Sequence, residues 1–163
     1  MVIKDKVAKA INKQINAELY SSYLYLAMAA YFEAANFLGF AHWMGLQAKE
    51  ENAHAMKFYQ YLFDRGGRPV LAAIDAPPVE WRSPLDAFKQ AYGHELKVTQ
   101  MIADLLKIAR DENDPATESM LQWFINEQVE EEAHAKQVVD KLIMIKDHVG
   151  GLMILDKELG KRA

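Results

Sequence analysis

Apolar residues recur at intervals of three and four positions along most of the chain, the spacing that is typical of amphipathic α-helices. No segment shows the strict alternation of apolar and polar residues that predicts a half-buried β-strand. The pattern predicts helices over residues about 3–33, 39–65, 84–110, 115–147 and 151–160. We therefore expect a single all-α domain that covers residues 1–163.

Helix termini are marked by capping residues. Ser83-Pro84 and Asp114-Pro115 each place a side-chain cap directly before a proline, which predicts two helix starts. Gly66-Gly67 predicts a helix end, and Gly150-Gly151 predicts a break before the last helix.

The lengths of the connections indicate how these helices are arranged. Short turns join the first helix to the second and the third to the fourth, so both pairs are expected to be antiparallel hairpins. Residues 66–83 are Pro-rich, and the segment is long enough to cross the bundle from end to end. The sequence predicts a four-helix bundle with one long crossover connection and a short C-terminal fifth helix.

Each of the four long helices carries one glutamate on the face that apolar residues otherwise fill: Glu18, Glu51, Glu95 and Glu131. An ionised carboxylate in a protein core costs several kcal/mol unless its charge is compensated. No Lys or Arg occupies these faces near the glutamates. Two divalent cations would balance four carboxylates, so the sequence predicts a dinuclear metal site.

The types of ligand narrow the choice of metal. His54 follows Glu51 by three residues and therefore shares its helix face. Oxygen-rich sites with imidazole suit iron or manganese, whereas structural zinc sites favour Cys and His. His134 follows Glu131 at the same spacing, and two interpretations remain open: it is a ligand, or it flanks the site.

Several neighbouring residues have both a functional and an ordinary interpretation. Glu50, Glu127 and Glu130 form either an outer cation site or part of a solvated helix face. Tyr25 and Trp123 are either electron donors or hydrogen-bond partners of the metal ligands, or simply packed aromatic side chains.

Composition restricts the functional class. The 163 residues carry a net charge of -4, which argues against binding to nucleic acid. The absence of cysteine excludes disulfides, iron–sulfur clusters and zinc–thiolate sites. The N-terminal segment lacks the apolar region of a signal peptide, and no apolar run has the length of a membrane span. We expect a cytoplasmic protein without membrane contact.

Five segments carry a resemblance to a known family: QINAELYSSYLYLAMA, KEENAHAMKFYQYLFDRGGRP, YGHE, LQWFINEQVEEE and LDKEL. Over essentially its whole length the chain resembles the prokaryotic non-haem ferritins. The resemblance implies iron storage and a ferroxidase that oxidises Fe(II) with O2 or H2O2. It also implies a homo-oligomeric shell of 24 subunits that holds the ferric mineral.

By position, the resemblance implies the ligands of three iron sites. Glu18, Glu51 and His54 would hold the first iron. Glu51 as a bridge, Glu95 and Glu131 would hold the second iron, with Gln128 close by. Glu50, Glu127, Glu130 and Glu131 would form the third site, and Tyr25 and Trp123 match aromatic residues near the centre.

One departure from this resemblance leaves alternatives. His134 resembles the second Glu-x-x-His histidine of the bacterioferritins, which bind haem through a methionine just after the first Glu-x-x-His glutamate. That position is Asn52 here, so no haem is expected. The alternatives are a haem-containing bacterioferritin and a metal-free helical scaffold with protonated or solvated glutamates.

Overall fold

The computed structural model describes residues 2–163, which form five α-helices. These are α1 Asp5–Ala34, α2 Leu38–Asp64, α3 Pro84–Asp111, α4 Pro115–Ile145 and α5 Val149–Leu159. Helix α1 packs on α2 and α3, α3 packs on α4, and α5 packs on α2 and α4. The predicted four-helix bundle with a short fifth helix is confirmed, and each predicted boundary lies within two residues of the observed one.

The crossover from α2 to α3 is irregular over residues 65–83 and lies along α1. Asn12 of α1 accepts a hydrogen bond from the Val70 N–H at 2.7 Å. One helical turn later, Asn16 donates to the carbonyl of Ala73 at 3.0 Å. Two side chains of α1 thus provide hydrogen-bond partners for backbone groups of the crossover, which has no helix or strand bonds of its own.

The predicted caps at two helix starts are present. Ser83 Oγ accepts from the Asp86 N–H at 3.1 Å, and Asp114 accepts from the Thr117 N–H at 3.1 Å. Helix α2 ends at Asp64, and Gly66 follows two residues later with a φ of 70°, a conformation that glycine adopts without steric cost.

The predicted break at Gly150-Gly151 is wrong, because both glycines lie inside α5. The chain turns earlier, at Lys146, which has a φ of 55°. His148 Nδ1 then accepts from the Gly151 N–H at 3.0 Å and caps the new helix. A histidine side chain therefore provides the helix start that the glycines were expected to mark.

The core consists of two apolar clusters along the bundle axis. Phe32 and Phe40 belong to one cluster, and Ile15 and Phe124 belong to the other. In every long helix the glutamate of the core face falls between residues of the two clusters, as Glu18 does in α1. The carboxylates therefore meet in one polar layer that is closed by apolar side chains at both ends.

Helix α5 closes the end of the bundle at which α2 begins. Asp156 Oδ1 accepts a 2.9 Å hydrogen bond from the Phe40 N–H, one of the free donors in the first turn of α2. A Cβ atom at Gly39 would lie 1.6 Å from the Asp156 carbonyl oxygen. The two helices can approach this closely only because position 39 is glycine.

Within residues 2–163, the structure contains no helix with the length and apolarity needed to span a membrane.

Candidate metal centre

The four glutamates of the core face converge in the middle of the bundle and are almost fully buried, with exposed fractions of 1–4%. Within residues 2–163, three groups of side chains bring possible ligand atoms to within 4.8 Å of one another. They are Glu18–Glu51–His54, Glu51–Glu95–Glu131 and His54–Glu127–Glu131. The first two have the same members as the predicted carboxylate and histidine ligands of the first and second iron.

Glu51 belongs to both of the inner groups. No donor group of the described residues forms a hydrogen bond to either of its carboxylate oxygens; the neighbour within hydrogen-bonding reach is the Glu18 carboxyl, which can donate only when protonated. His54 Nδ1 lies 3.4 Å from Glu51 Oε2, on the same face of α2. A buried carboxylate without partners is costly, so this arrangement fits a cation that binds both oxygens.

Two glutamines hold other glutamates of the cluster in place. Gln14 donates to Glu18 Oε1 at 2.8 Å, and Gln47 of α2 donates to Glu131 Oε2 of α4 at 2.8 Å. The second oxygen of Glu18 has no partner within residues 2–163. Gln14 thereby orients Glu18 through one oxygen, while the second oxygen of Glu18 can bind a metal ion. Gln47 orients Glu131 in the same way, through one oxygen.

Glu95 has the most hydrogen bonds of the four. Tyr25 donates its phenolic hydrogen to Glu95 Oε1, and Gln128 Nε2 lies 3.2 Å from Glu95 Oε2. The amide nitrogen of Gln128 also lies 3.2 Å from Thr99 Oγ1. Burial, followed by the Glu95 charge, raises the pKa of Tyr25 well above its ordinary value, so the phenol is neutral.

Burial is also the main cause that raises the pKa of each of the four glutamates. For Glu131 the pKa rises to about 7, with the Glu95 charge as the second cause. Without a cation, the cluster therefore holds protons near neutral pH. Divalent cations would replace those protons and compensate the charges that burial penalises.

The predicted outer residues lie in different environments. Glu127 is half-buried, with Oε1 3.9 Å from His54 Nε2. Glu50 is half-buried and forms a 2.9 Å ion pair with Arg162, and Glu130 is exposed. His134 is exposed in a surface cavity between α4 and α5. Within residues 2–163, Glu50, Glu130 and His134 are outside the three groups of possible ligands.

Trp123 contacts the centre from the side of His54, with 5.4 Å between the two ring centroids. Lys57 Nζ also lies 3.5 Å from the centroid of a Trp123 ring. The indole thus lies next to a possible ligand and against a positive charge.

Several residues of the site were missed by the sequence reasoning. Gln14 and Gln47 could have been predicted from the sequence, because each is a polar residue on the core face one turn before a glutamate. His94 Nε2 lies 2.6 Å from Ser21 Oγ, and burial lowers the pKa of this histidine to about 4. Arg162 gave no signal, since it lies more than a hundred residues from its partner Glu50.

Comparisons with known proteins agree with this geometry. Residues 8–145 match the family described as ferritin-like domain. The chain is 44% identical over 161 residues to a bacterial non-heme ferritin of Bacteroides fragilis, covering 99% of this chain and 100% of the relative. It is 42% identical over 163 residues to the corresponding protein of Staphylococcus epidermidis, covering 100% and 98%. A solved structure of an open pore ferritin from the archaeon Archaeoglobus fulgidus superimposes with a TM-score of 0.98 at 49% identity, covering 99% of both chains. This chain therefore belongs to the ferritin family.

Proposed function

We propose that this protein stores iron and that its buried centre is a ferroxidase, which oxidises Fe(II) before the iron is stored. One observation carries the proposal: Glu51 is buried, receives no hydrogen bond from a donor group within residues 2–163, and belongs to two adjacent groups of possible ligands. A carboxylate in this position can bridge two metal ions.

The proposed ligands follow the two inner groups. The first Fe(II) would bind Glu18, Glu51 and His54, and the second would bind Glu51, Glu95 and Glu131. Four carboxylates and two Fe(II) ions have no net charge, which supports this stoichiometry. Gln128 would orient Glu95 through its 3.2 Å contact.

Oxidation removes one electron from each of two Fe(II) ions. O2 accepts the two electrons and two protons and is reduced to H2O2, or H2O2 accepts them and is reduced to two molecules of water. The protein holds the two ions side by side, orients their ligands and limits access of water through the apolar clusters on both sides.

Tyr25 is proposed to be a further electron donor. Its O–H donates to Glu95, so the proton can pass to the Glu95 carboxylate as the electron leaves. The acceptor is the H2O2 formed with the first two electrons: one electron from Tyr25 and one from a third Fe(II), with two protons, reduce it to two molecules of water. The product of this step is a neutral tyrosyl radical. Trp123 is the second aromatic residue beside the centre, through its contact with His54.

The ferric product would then leave the centre toward acidic residues. Glu127, which lies near His54, would bind a third cation on this route together with Glu50, Glu130 and Glu131. We propose that 24 copies of the chain assemble into the shell that holds the mineral, in the cytoplasm. His134 would flank this route, and the two inner groups contain ligands for both ions without it.

The experiment is addition of Fe(II) to metal-free protein under air, with oxygen uptake and ferric absorbance recorded together. The wild type should show a fast phase that Glu51→Ala abolishes while the protein remains folded and assembled. Glu51→Gln, which keeps the side-chain volume, should also lose the fast phase. Glu33→Ala, which removes an exposed glutamate of α1, is the matched control and should oxidise at the wild-type rate. Wild-type rates in both Glu51 variants would contradict the proposal.

The two alternatives predict different observations. A bacterioferritin would show a sharp haem band in the purified protein. At the position where bacterioferritins have their haem-binding methionine, this chain has the exposed Asn52. A metal-free scaffold would show the same thermal unfolding with and without Fe(II) or Zn²⁺. The convergence of four buried glutamates argues against the scaffold, because a structural core gains nothing from burying carboxyl groups whose pKa values burial raises.

A further inference from the structure

The C-terminal tail after α5 returns to α2 and contacts it through Arg162. Its guanidinium forms a 2.9 Å ion pair with Glu50 and lies 4.9 Å from the centroid of a Trp43 ring. The same side chain lies 3.4 Å from the Trp43 carbonyl oxygen, and the carbonyl of Arg162 accepts from His42 Nε2 at 2.7 Å. Four contacts thus fix one residue of the tail against the first half of α2.

The partner of this arginine is linked to the metal centre. Glu50 directly precedes Glu51, and its negative charge acts on both Glu51 and Glu131. The positive charge of Arg162, paired with Glu50, therefore partly compensates the excess of negative charge around the centre. Without that compensation, the carboxylate of Glu50 would attract a cation from solution.

We propose that Arg162 is a built-in competitor of metal ions at the outer site: it neutralises Glu50 until a third cation displaces it. The inference rests on the proposed function, because Glu50 is one of the residues through which the ferric product would leave. A third ion would therefore bind only at a concentration sufficient to displace the arginine, after the two inner positions are filled.

The exposure of the pair makes displacement feasible. The side chains of Arg162 and Glu50 are 22% and 44% exposed, and an exposed ion pair contributes little to stability. A divalent cation carries twice the charge of the guanidinium, so it can compete for the Glu50 carboxylate at a sufficient concentration. The contact with Trp43 does not depend on Glu50, so the arginine remains nearby and can return when the ion leaves.

Titration of the assembled metal-free protein with Zn²⁺ in the absence of oxygen tests this inference. Zn²⁺ is redox-inactive, so calorimetry measures binding without oxidation. In Arg162→Gln the ions at the inner centre should bind as in the wild type, and the outer ion should bind about three- to tenfold more tightly. Lys161→Gln removes one positive charge from the same exposed tail without touching Glu50, so it should leave the outer affinity unchanged.

A double-mutant comparison separates competition at Glu50 from a general effect of charge. In a Glu50→Gln background, Arg162→Gln should no longer change the outer affinity. Equal outer affinities in wild type, Arg162→Gln and Lys161→Gln would overturn the inference, and so would equal increases in the two tail variants. Absence of an outer ion in all variants would also overturn it.

A measurement on the wild type covers the case in which the tail variants fail to assemble. Displacement of Arg162 should change the fluorescence of Trp43 as the outer ion binds, and this part of the change, separate from that of Trp123 beside His54, should be lost in Trp43→Phe. A constant Trp43 signal through saturation would contradict displacement. Failure of the proposed function has a different signature: the inner ions would then be missing from the titration of every variant, including the wild type.

Discussion

Gln47 of α2 donates a 2.8 Å hydrogen bond to Glu131 of α4, so a neutral side chain of one helix orients a carboxylate of another at the centre of the bundle. This bond favours the ionised form of Glu131 and opposes the burial that raises its pKa to about 7. The other amide atom, Gln47 Oε1, is buried without a partner within residues 2–163. The role of Gln47 is therefore to orient Glu131, since its buried and unpaired amide oxygen would be unfavourable in a residue that only filled the core.

Gln47→Met keeps the length of the side chain and removes the donor, so the pKa of Glu131 should rise further. Metal then has to displace a more tightly held proton, and the second Zn²⁺ should bind about tenfold more weakly at pH 7. The deficit should shrink at higher pH, where Glu131 loses its proton in both proteins. Calorimetric titration with Zn²⁺ at pH 6, 7 and 8 measures this effect.

Gln60→Met is the matched control, because Gln60 lies on the exposed face of the same helix and bonds only to Asp64 among the contacts described. It should bind both inner ions as the wild type does. The same loss of affinity in both variants, or a loss in Gln47→Met that is independent of pH, would contradict the orienting role of Gln47.

The carboxyl cluster should make the metal-free protein less stable as the pH rises. Between its ordinary value of 4.5 and about 7, Glu131 holds a proton in the native state that the unfolded chain has already lost. Its contribution to stability is present below pH 4.5 and declines by about 3 kcal/mol as the pH rises through this window. Glu18 and Glu51 have raised pKa values as well and act in the same direction.

His94 has the opposite effect at lower pH. Burial lowers its pKa from 6.5 to about 4, so its contribution is lost as the pH falls from 6.5 toward 4. Above about pH 6.5 only the carboxyl effect remains. The melting temperature of metal-free protein should therefore fall from pH 6.5 to 8, and Glu131→Gln should reduce the slope. Protein saturated with Zn²⁺ should lack the decline, so identical pH profiles for loaded and metal-free protein would refute this account.

Tyr25→Phe tests the phenol as an electron donor. The wild type should form a tyrosyl radical, detectable by electron paramagnetic resonance, when Fe(II)-loaded protein is mixed with O2. The variant should lack this signal, since phenylalanine has no proton to pass to Glu95. Tyr31→Phe is the control, because Tyr31 packs against Trp81, six residues further along α1 than Tyr25, and its loss should leave the signal intact. An undiminished radical in Tyr25→Phe would exclude Tyr25 as its source.

The sequence predicted those parts of the structure that depend on local spacing. The three- and four-residue period located every helix, and the caps at Ser83 and Asp114 formed as expected. The spacing also placed Glu51 and His54 on one face of α2, where the structure has them. These features follow from helix geometry, which is the same in every protein.

The remaining features depend on contacts that spacing does not encode. The bond from Gln47 crosses from α2 to α4, and Arg162 reaches Glu50 only after α5 has folded back onto the bundle. The capping role of His148 was missed because histidine is an uncommon N-cap residue and two glycines nearby offered a stronger signal. Such contacts require the relative positions of helices that are distant in sequence.

Gly39→Ala should detach α5 and, with it, Arg162, the proposed competitor at the proposed outer cation site. The new Cβ would lie 1.6 Å from the Asp156 carbonyl oxygen, and backbone cannot yield as a flexible side chain can. Displacing α5 also breaks the bond from the Phe40 N–H to Asp156 and withdraws Arg162 from Glu50. We expect a lower melting temperature together with tighter binding of the outer Zn²⁺, approaching that of Arg162→Gln. Gly45→Ala is the matched control, because within residues 2–163 a Cβ there meets no atom within 4 Å apart from its chain neighbours and its own helix backbone, and alanine favours the helix. Unchanged outer affinity in a Gly39→Ala protein that melts at a lower temperature would separate docking of α5 from control of the outer site.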